Sequence, residues 1–376
     1  MAKKTTLMAP NNSPLAFLLQ VLYGAAMGLC GLHGILSIDS ASLGQYLLCV
    51  CWLVAAAVAA LYGQIILHEG GHMVFGLLTG YRFVSFRIGS WMVQKENGKL
   101  RLHRYTLAGT GGQCLMAPPD IANGKIPYQL YNAGGALFNL FTVLPAAVLS
   151  MLCSSWMART FWELFCVMGL GTALTNGIPL RVQGVANDGA NARDLGKDPA
   201  ALQAFWNQLS INARQAEGVP LREMPEAWFS LPTEGLDNLM VAAQAVLHAN
   251  RLMDEGRFAE TAQAIDALEA QDTALLPLHH GLLLCDRLTC ALLTGEDAAP
   301  LLGRWNSSGM KAFRKQMRKI LAVLRTEYFV ALLAEQDPAR AETIRAGFEA
   351  CAKTYPYAAE VAGERALLQK ADALCK

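Results

Sequence analysis

What most constrains this chain is a series of long stretches without a single Asp, Glu, Lys or Arg. Residues 15–38 form the first. That is too long for a signal-peptide core and long enough to cross roughly 30 Å of hydrocarbon. Residues 43–67 form the second, and the apolar run continues past Glu69 to about Leu78, as a long or tilted helix would require. Residues 128–158 are again uncharged, and residues 160–180 hold only Glu163. Lipid leaves a backbone no partner but itself, so such stretches are expected to span as helices. The simplest count is four spans.

Charge is partitioned to match. Seventeen charged side chains lie in residues 1–189, and the remainder, more than twice as many, lie beyond. The first half is therefore compatible with lipid and the second with water. The expected fold is mostly α-helical, a polytopic membrane protein with about four transmembrane helices, a small β-hairpin insertion and a C-terminal soluble α-helical domain. The expected boundaries are 1–193 for the membrane domain, with the insertion at about 82–118, and 194–376 for the helical domain. A net charge of +1 without a clustered basic face excludes nucleic acid as a partner. The ten cysteines show no C-x-x-C spacing and read as free thiols.

Positive charge also orients the chain. Arg82, Arg87, Lys95, Lys99, Arg101, Arg104 and Lys125 fall between the second and third spans, and Lys3 and Lys4 precede the first. By the positive-inside rule both segments are cytoplasmic, and an even number of spans returns the C-terminus to the same side of the cell membrane. Within the basic segment Val84, Phe86 and Ile88 alternate with polar residues, and Asn97-Gly98 is a two-residue hairpin signature. Residues 106–119, rich in Gly and apolar side chains, fit a further strand or a re-entrant loop equally well. Beyond residue 194 helical patterns recur with short breaks, as at Gly256, in a repeat-like array. Gly256-x-Phe258 followed by Ala262 and Leu268 loosely resembles a tetratricopeptide repeat, without a clean period.

The chemistry concentrates in His68-Glu69-Gly70-Gly71-His72. On a helix, positions i and i+4 point two imidazoles from one face toward one ion, and the glutamate at i+1 reaches a water held by that ion. Ionisable groups at membrane depth cost about 2.5–3.5 kcal/mol each on insertion scales, so three in five residues call for a shared compensation that a divalent cation supplies. Two imidazoles need a third protein ligand in a catalytic zinc site, leaving the fourth position for water whose pKa falls to about 7. The candidates in the membrane half are His33, His103, Asp39, Glu96, Asp120, Glu163 and Asp188. Asp188 stands out because it follows the fourth span, in Asn187-Asp188-Gly189, where glycine permits a tight turn. Glu163 sits four residues past Arg159, where snorkelling to the interface is easy. His279, His280, Cys285 and Cys290 lack zinc spacing and read as ordinary surface or core side chains.

Together with Asn176-Gly177-Ile178-Pro179, Asp188-Gly189 and Gly135-Ala136-Leu137-Phe138-Asn139, this motif resembles the site-2 protease family of intramembrane zinc metalloproteases. That family joins H-E-x-x-H in one transmembrane helix to a later N-x-x-P followed by D-G, and carries G-P-x-x-N in between. The resemblance covers roughly residues 45–195. The chain departs from the pattern at Ala136, where the family has proline, and in the eight residues between Pro179 and Asp188, where it has about four. Residues 180–185 can be absorbed as a loop bent at Gly184.

The resemblance implies His68, His72 and Asp188 as Zn2+ ligands, Glu69 as general base, and Asn176 as a substrate-contacting group, with Asn139 as a further one. It implies a membrane-spanning protein or peptide as substrate, cut within the lipid bilayer. Substrate must be extended before cutting, and strands near the Asn97-Gly98 hairpin offer an edge for strand addition. The alternative is a catalytically inactive membrane scaffold whose helical tail recruits a partner. Glu69 speaks against it, since a structural zinc site has no use for a carboxylate beside its ligands. A regulatory partner on the C-terminal helical domain fits either reading.

Overall fold

A computed structural model describes residues 14–37, 42–96, 98–105, 110–121, 125–182 and 184–375. Lys3, Lys4, Asp39 and Asn97, used above for topology, ligand choice and the hairpin turn, lie outside the described residues, as does most of the 106–111 approach to the last strand of the insertion. The protein is mostly helical with a small amount of antiparallel sheet, and it divides into two units.

The first unit takes the chain up to Ile88 and then Gly111–Asp198. Its helices are α1 (Pro14–Leu36), α2 (Leu43–Leu78), α3 (Tyr128–Leu152), α4 (Trp156–Gly177) and the short α5 (Asp188–Asp194). Among the described residues, α1, α2 and α3 are long and apolar enough to cross a membrane. The expected fourth span, α4, has the length but is diluted by Arg159, Glu163, Asn176 and several Thr and Gly residues, and is not among them.

Helix α2 begins in a capping box: the Ser42 hydroxyl accepts from the Gln45 backbone N–H, and the Gln45 side chain accepts from the Ser42 N–H. Its 36 residues extend about 54 Å at 1.5 Å per residue, well beyond a hydrocarbon core. One face, Leu47, Val54, Val58, Leu61 and Ile66, is exposed as a lipid-facing side chain would be. A stripe at four-residue spacing, Ala56, Ala60, Gln64, His68 and His72, winds slowly round the helix and is buried throughout. The two alanines let α4 approach and pack against Leu164 and Met168, and the polar members continue the same line into the site.

The sheet residues of this unit are β1 (Arg82–Ile88) and β4 (Gly112–Ala117), antiparallel with a bulge between Phe83 and Ser85. A two-stranded turn, β5 (Arg181–Val182) and β6 (Val185–Ala186), follows α4, with Gly184 at φ +85°.

The second unit comprises Gly89–Thr110 and Pro199–Lys376. The hairpin β2 (Trp91–Glu96) and β3 (Lys99–Arg104) forms in the expected register, with Gly98 at φ +80°. It belongs with the helical domain and not, as expected, with the membrane domain. The reason is a buried anchor: Gln94, fully buried, donates to the carbonyls of Ala216 and Pro356, and the Tyr105 ring meets Tyr355 and Tyr357 edge-on. Helices α6 (Pro199–Ala216), α7 (Leu239–Asp254), α8 (Phe258–Glu269) and α9 (Pro277–Thr294) are followed by α10 (Ala299–Trp305), α11 (Ser308–Gln316), α12 (Leu321–Phe329), α13 (Pro338–Ala352) and α14 (Ala358–Leu374). Neighbouring helices pack in succession from α7 to α9, and α12 packs on α9, α13 and α14. Gly256 turns α7 into α8 at φ +76°, and Ala262 and Leu268 are buried.

Candidate metal centre

Helices α2 and α3 run antiparallel and touch through backbone. A Cβ on Gly71 would lie 2.3 Å from the Gly134 carbonyl oxygen, and one on Gly134 would lie 2.7 Å from that of Gly71. This contact lays the stripe Gln64, His68, His72 against a matching stripe on α3, Tyr131, Gly135, Asn139. Gly135 is the floor of the site: a Cβ there would come within 2.6 Å of His68 Cε1 and of His72 Nε2.

The α3 stripe orients both imidazoles. His68 Nδ1 lies 2.7 Å from Asn139 Oδ1, and His72 Nδ1 lies 2.8 Å from the Tyr131 carbonyl. Those oxygens can only accept, so both Nδ1 atoms carry the proton, and in the neutral rings both Nε2 atoms are the acceptors. Asn139 is held in that orientation by its own amide, which donates to the Gln64 carbonyl and side-chain oxygen at 2.9 and 2.7 Å. Gln64 is held in turn by donating to the Phe165 carbonyl at 2.9 Å.

Asp188 arrives from the far side of Pro179. Asn187 caps α5 by accepting from Ala190 N–H, accepts from Leu180 N–H, and donates to the Thr175 and Ile178 carbonyls. One side chain thus ties the end of α4 to the start of α5, and the β5–β6 turn takes up the extra residues between Pro179 and Asp188. Gly189 serves close packing and no unusual backbone angle: a Cβ there would sit 2.2 Å from the Gly177 carbonyl.

The result is a triangle. His68 Nε2 and His72 Nε2 are 3.2 Å apart, and Asp188 Oδ2 lies 3.0 Å from the first and 3.3 Å from the second. Among the described residues, these three are the one group of His, Cys, Asp and Glu side chains placed to hold a metal ion.

Glu69 projects to the side, toward β4. It accepts from the Cys114 backbone N–H, and a Cβ on Gly112 would lie 2.8 Å from Glu69 Oε1. Among the described residues, strand β4 stands at the end of its sheet, paired with β1, and Tyr131 ties it to α3 by donating to the Cys114 carbonyl. The strand beside the glutamate is therefore β4, whereas the hairpin at Gly98 lies in the helical unit.

The remaining residues weighed from sequence fall elsewhere. Glu163 pairs with His33 Nδ1 at 2.9 Å between α4 and α1, and Glu96 pairs with His103 at 2.7 Å within the hairpin. Asn176, half-buried near the end of α4, donates to the Thr172 carbonyl. Asn139 is fully buried, with its polar atoms engaged on His68 and Gln64, so its place is behind the ligand and not on a substrate. Cys285 and Cys290 are buried core thiols, while His280 pairs with Glu269. Sequence reading passed over Gln64 and Gly134 and named Gly135 and Asn187 only as members of motifs, without a role; the α2 stripe at four-residue spacing could have singled out Gln64.

Comparison with protein-family models, curated proteins and solved structures finds no match to this chain.

Proposed function

We propose that this chain is an intramembrane zinc endopeptidase of the site-2 protease type, cleaving membrane-embedded segments of protein or peptide substrates. The observation that carries the reading is the triangle of acceptors. With neutral rings, two Nε2 lone pairs and a carboxylate oxygen within 3.3 Å of one another repel, and a metal ion among them turns that repulsion into coordination. Ligand bonds of about 2.0–2.1 Å in a tetrahedral site place ligand atoms about 3.3–3.4 Å apart, so His68, His72 and Asp188 need only a small relaxation to hold zinc. The partners behind the rings fit as well, since each imidazole presents its Nδ1–H to an oxygen, of Asn139 and of Tyr131.

Zinc bound there supplies Lewis-acid polarisation of a water and of the scissile carbonyl. Glu69 takes the proton released as the C–O bond forms and delivers it to the amine as the C–N bond breaks. The outer edge of β4 lies beside Glu69, with Cys114 engaged by Glu69 and Tyr131; strand addition along the rest of that edge pairs backbone groups that an unwound helix would leave bare. In this reading α4 is the fourth span, packed on α1, α2 and α3, and both termini are cytoplasmic.

The test is Glu69→Gln in the full chain co-expressed with single-span substrates. Cleavage should fall by more than the roughly 10²–10⁴-fold of acid–base catalysis alone, because Glu69 also orients the water, while zinc content stays at the wild-type level. Residual activity near wild type, or no cleavage by wild type of any membrane substrate, points to the inactive-scaffold reading.

A further inference from the structure

The helical unit contains a cavity of about 380 Å³, within the range of small-ligand sites, walled by α7, α9, α12 and α14. Apolar side chains such as Met253, Phe258 and Leu283 line part of it, and a buried ionic cluster lines the rest.

The charges on that wall do not balance locally. Arg222 is taken by Asp254 at 3.0 Å. Arg325, 2% exposed, is shared between Asp286 at 2.5 Å and Glu364 at 3.0 Å. Glu360 also faces the cavity, and among the described residues its hydrogen-bond donor is neutral, the Tyr355 hydroxyl at 2.8 Å. Three carboxylates, Asp286, Glu360 and Glu364, therefore share the wall with Arg325, whose guanidinium is paired with the first and the last. Two basic side chains remain on the wall: His279, whose Nδ1 accepts from the Leu276 N–H and whose ring burial keeps neutral, and Lys370, which lies over the Phe258 ring at 5.8 Å. Lys370 is also ten residues from Glu360 along α14, about 15 Å at helical rise, and cannot reach it. Burial, reinforced by the Glu364 and Asp286 charges, pushes the Glu360 carboxyl up to about 7, which is the response of a buried acid lacking a counter-ion.

We propose that this cavity is a binding site for a small amphipathic cation, a primary amine on an apolar body, with Glu360 taking the ammonium and the Met253, Phe258 and Leu283 side of the wall taking the body. Asp286 and Glu364 add attraction at short range, while Arg325 keeps the two of them from collapsing apart. The site is independent of the metal centre and of the proteolytic reading.

Tyramine, with tyrosol as its neutral and 3-(4-hydroxyphenyl)propionate as its anionic counterpart, tests this by calorimetric titration of the full chain in detergent at pH 8. Tyramine should bind about 10- to 100-fold more tightly than either counterpart, the worth of one charge-assisted hydrogen bond. Glu360→Gln, isosteric and checked for folding by its melting curve at pH 5, should erase that preference. No tyramine binding at millimolar concentration, equal binding of the three probes, or an unchanged preference in Glu360→Gln each overturns the proposal.

Discussion

The two glycines inside the H-E-x-x-H motif should respond in opposite ways to the same substitution. Gly70 has nothing within 4 Å of a Cβ position, whereas a Cβ on Gly71 would meet the Gly134 oxygen at 2.3 Å and Phe138 Cβ at 2.6 Å. An ordinary contact to those atoms requires α2 and α3 to separate by about 1 Å. The hydrogen bonds that orient the imidazoles cross that interface at 2.7 and 2.8 Å, and at about 3.7 Å they no longer exist. Losing each such partner costs roughly 10- to 100-fold in metal affinity or activity. Overpacking removes about 1–3 kcal/mol of stability, against about 1 kcal/mol gained from replacing a helical glycine. Gly71→Ala is therefore expected to lose zinc affinity by two orders of magnitude or more while remaining folded. Gly70→Ala, one residue away and between the same ligands, should keep its zinc and melt no lower than wild type. Zinc titration against a competing chelator, with melting curves on the same preparations, measures both. A Gly71→Ala variant with wild-type affinity, or an equal loss in Gly70→Ala, would refute the backbone-contact geometry.

Asp188→Ala should lower zinc occupancy and cleavage together, whereas Asp188→Asn keeps the fold with weakened metal; equal zinc content in wild type and Asp188→Ala would mean another residue completes the site. Asn139→Ala should weaken zinc binding by about 10- to 100-fold without touching substrate, so an unchanged affinity with a raised KM would return Asn139 to the substrate side. In the helical unit, Glu360 holds its proton up to about 7 when folded and releases it near 4.5 when unfolded. The folded form thus binds more protons between those values, and the stability this group contributes, present below about pH 4.5, is lost as pH rises toward 7. Glu360→Gln should flatten that fall and stabilise the unit at pH 8 by up to roughly 3 kcal/mol; parallel melting curves of the two proteins across this range would contradict it.

Much of this protein was decided by local chemistry that a sequence displays openly. Lipid cannot hydrogen-bond a backbone, so the uncharged runs had to become the helices α1, α2 and α3. The i, i+4 spacing of His68 and His72 put both rings on one helical face before any neighbour was known. Asn97-Gly98 marked the β2–β3 register, and Gly184 marked the bend that returns Asp188, because both depend on a few adjacent residues. What tertiary structure alone decided lies where distant segments meet. The tie from Gln94 to Ala216 and Pro356 joins residues more than a hundred apart, and it moved the hairpin into the helical unit. The role of Asn139 depends on facing His68 across a crossing that Gly71 and Gly134 make possible. The third acceptor reaches the two imidazoles because Asn187 clamps the end of α4 to the start of α5. These contacts follow no short-range period, since they are set by how closely two backbones approach, and that distance is fixed only when the whole unit packs.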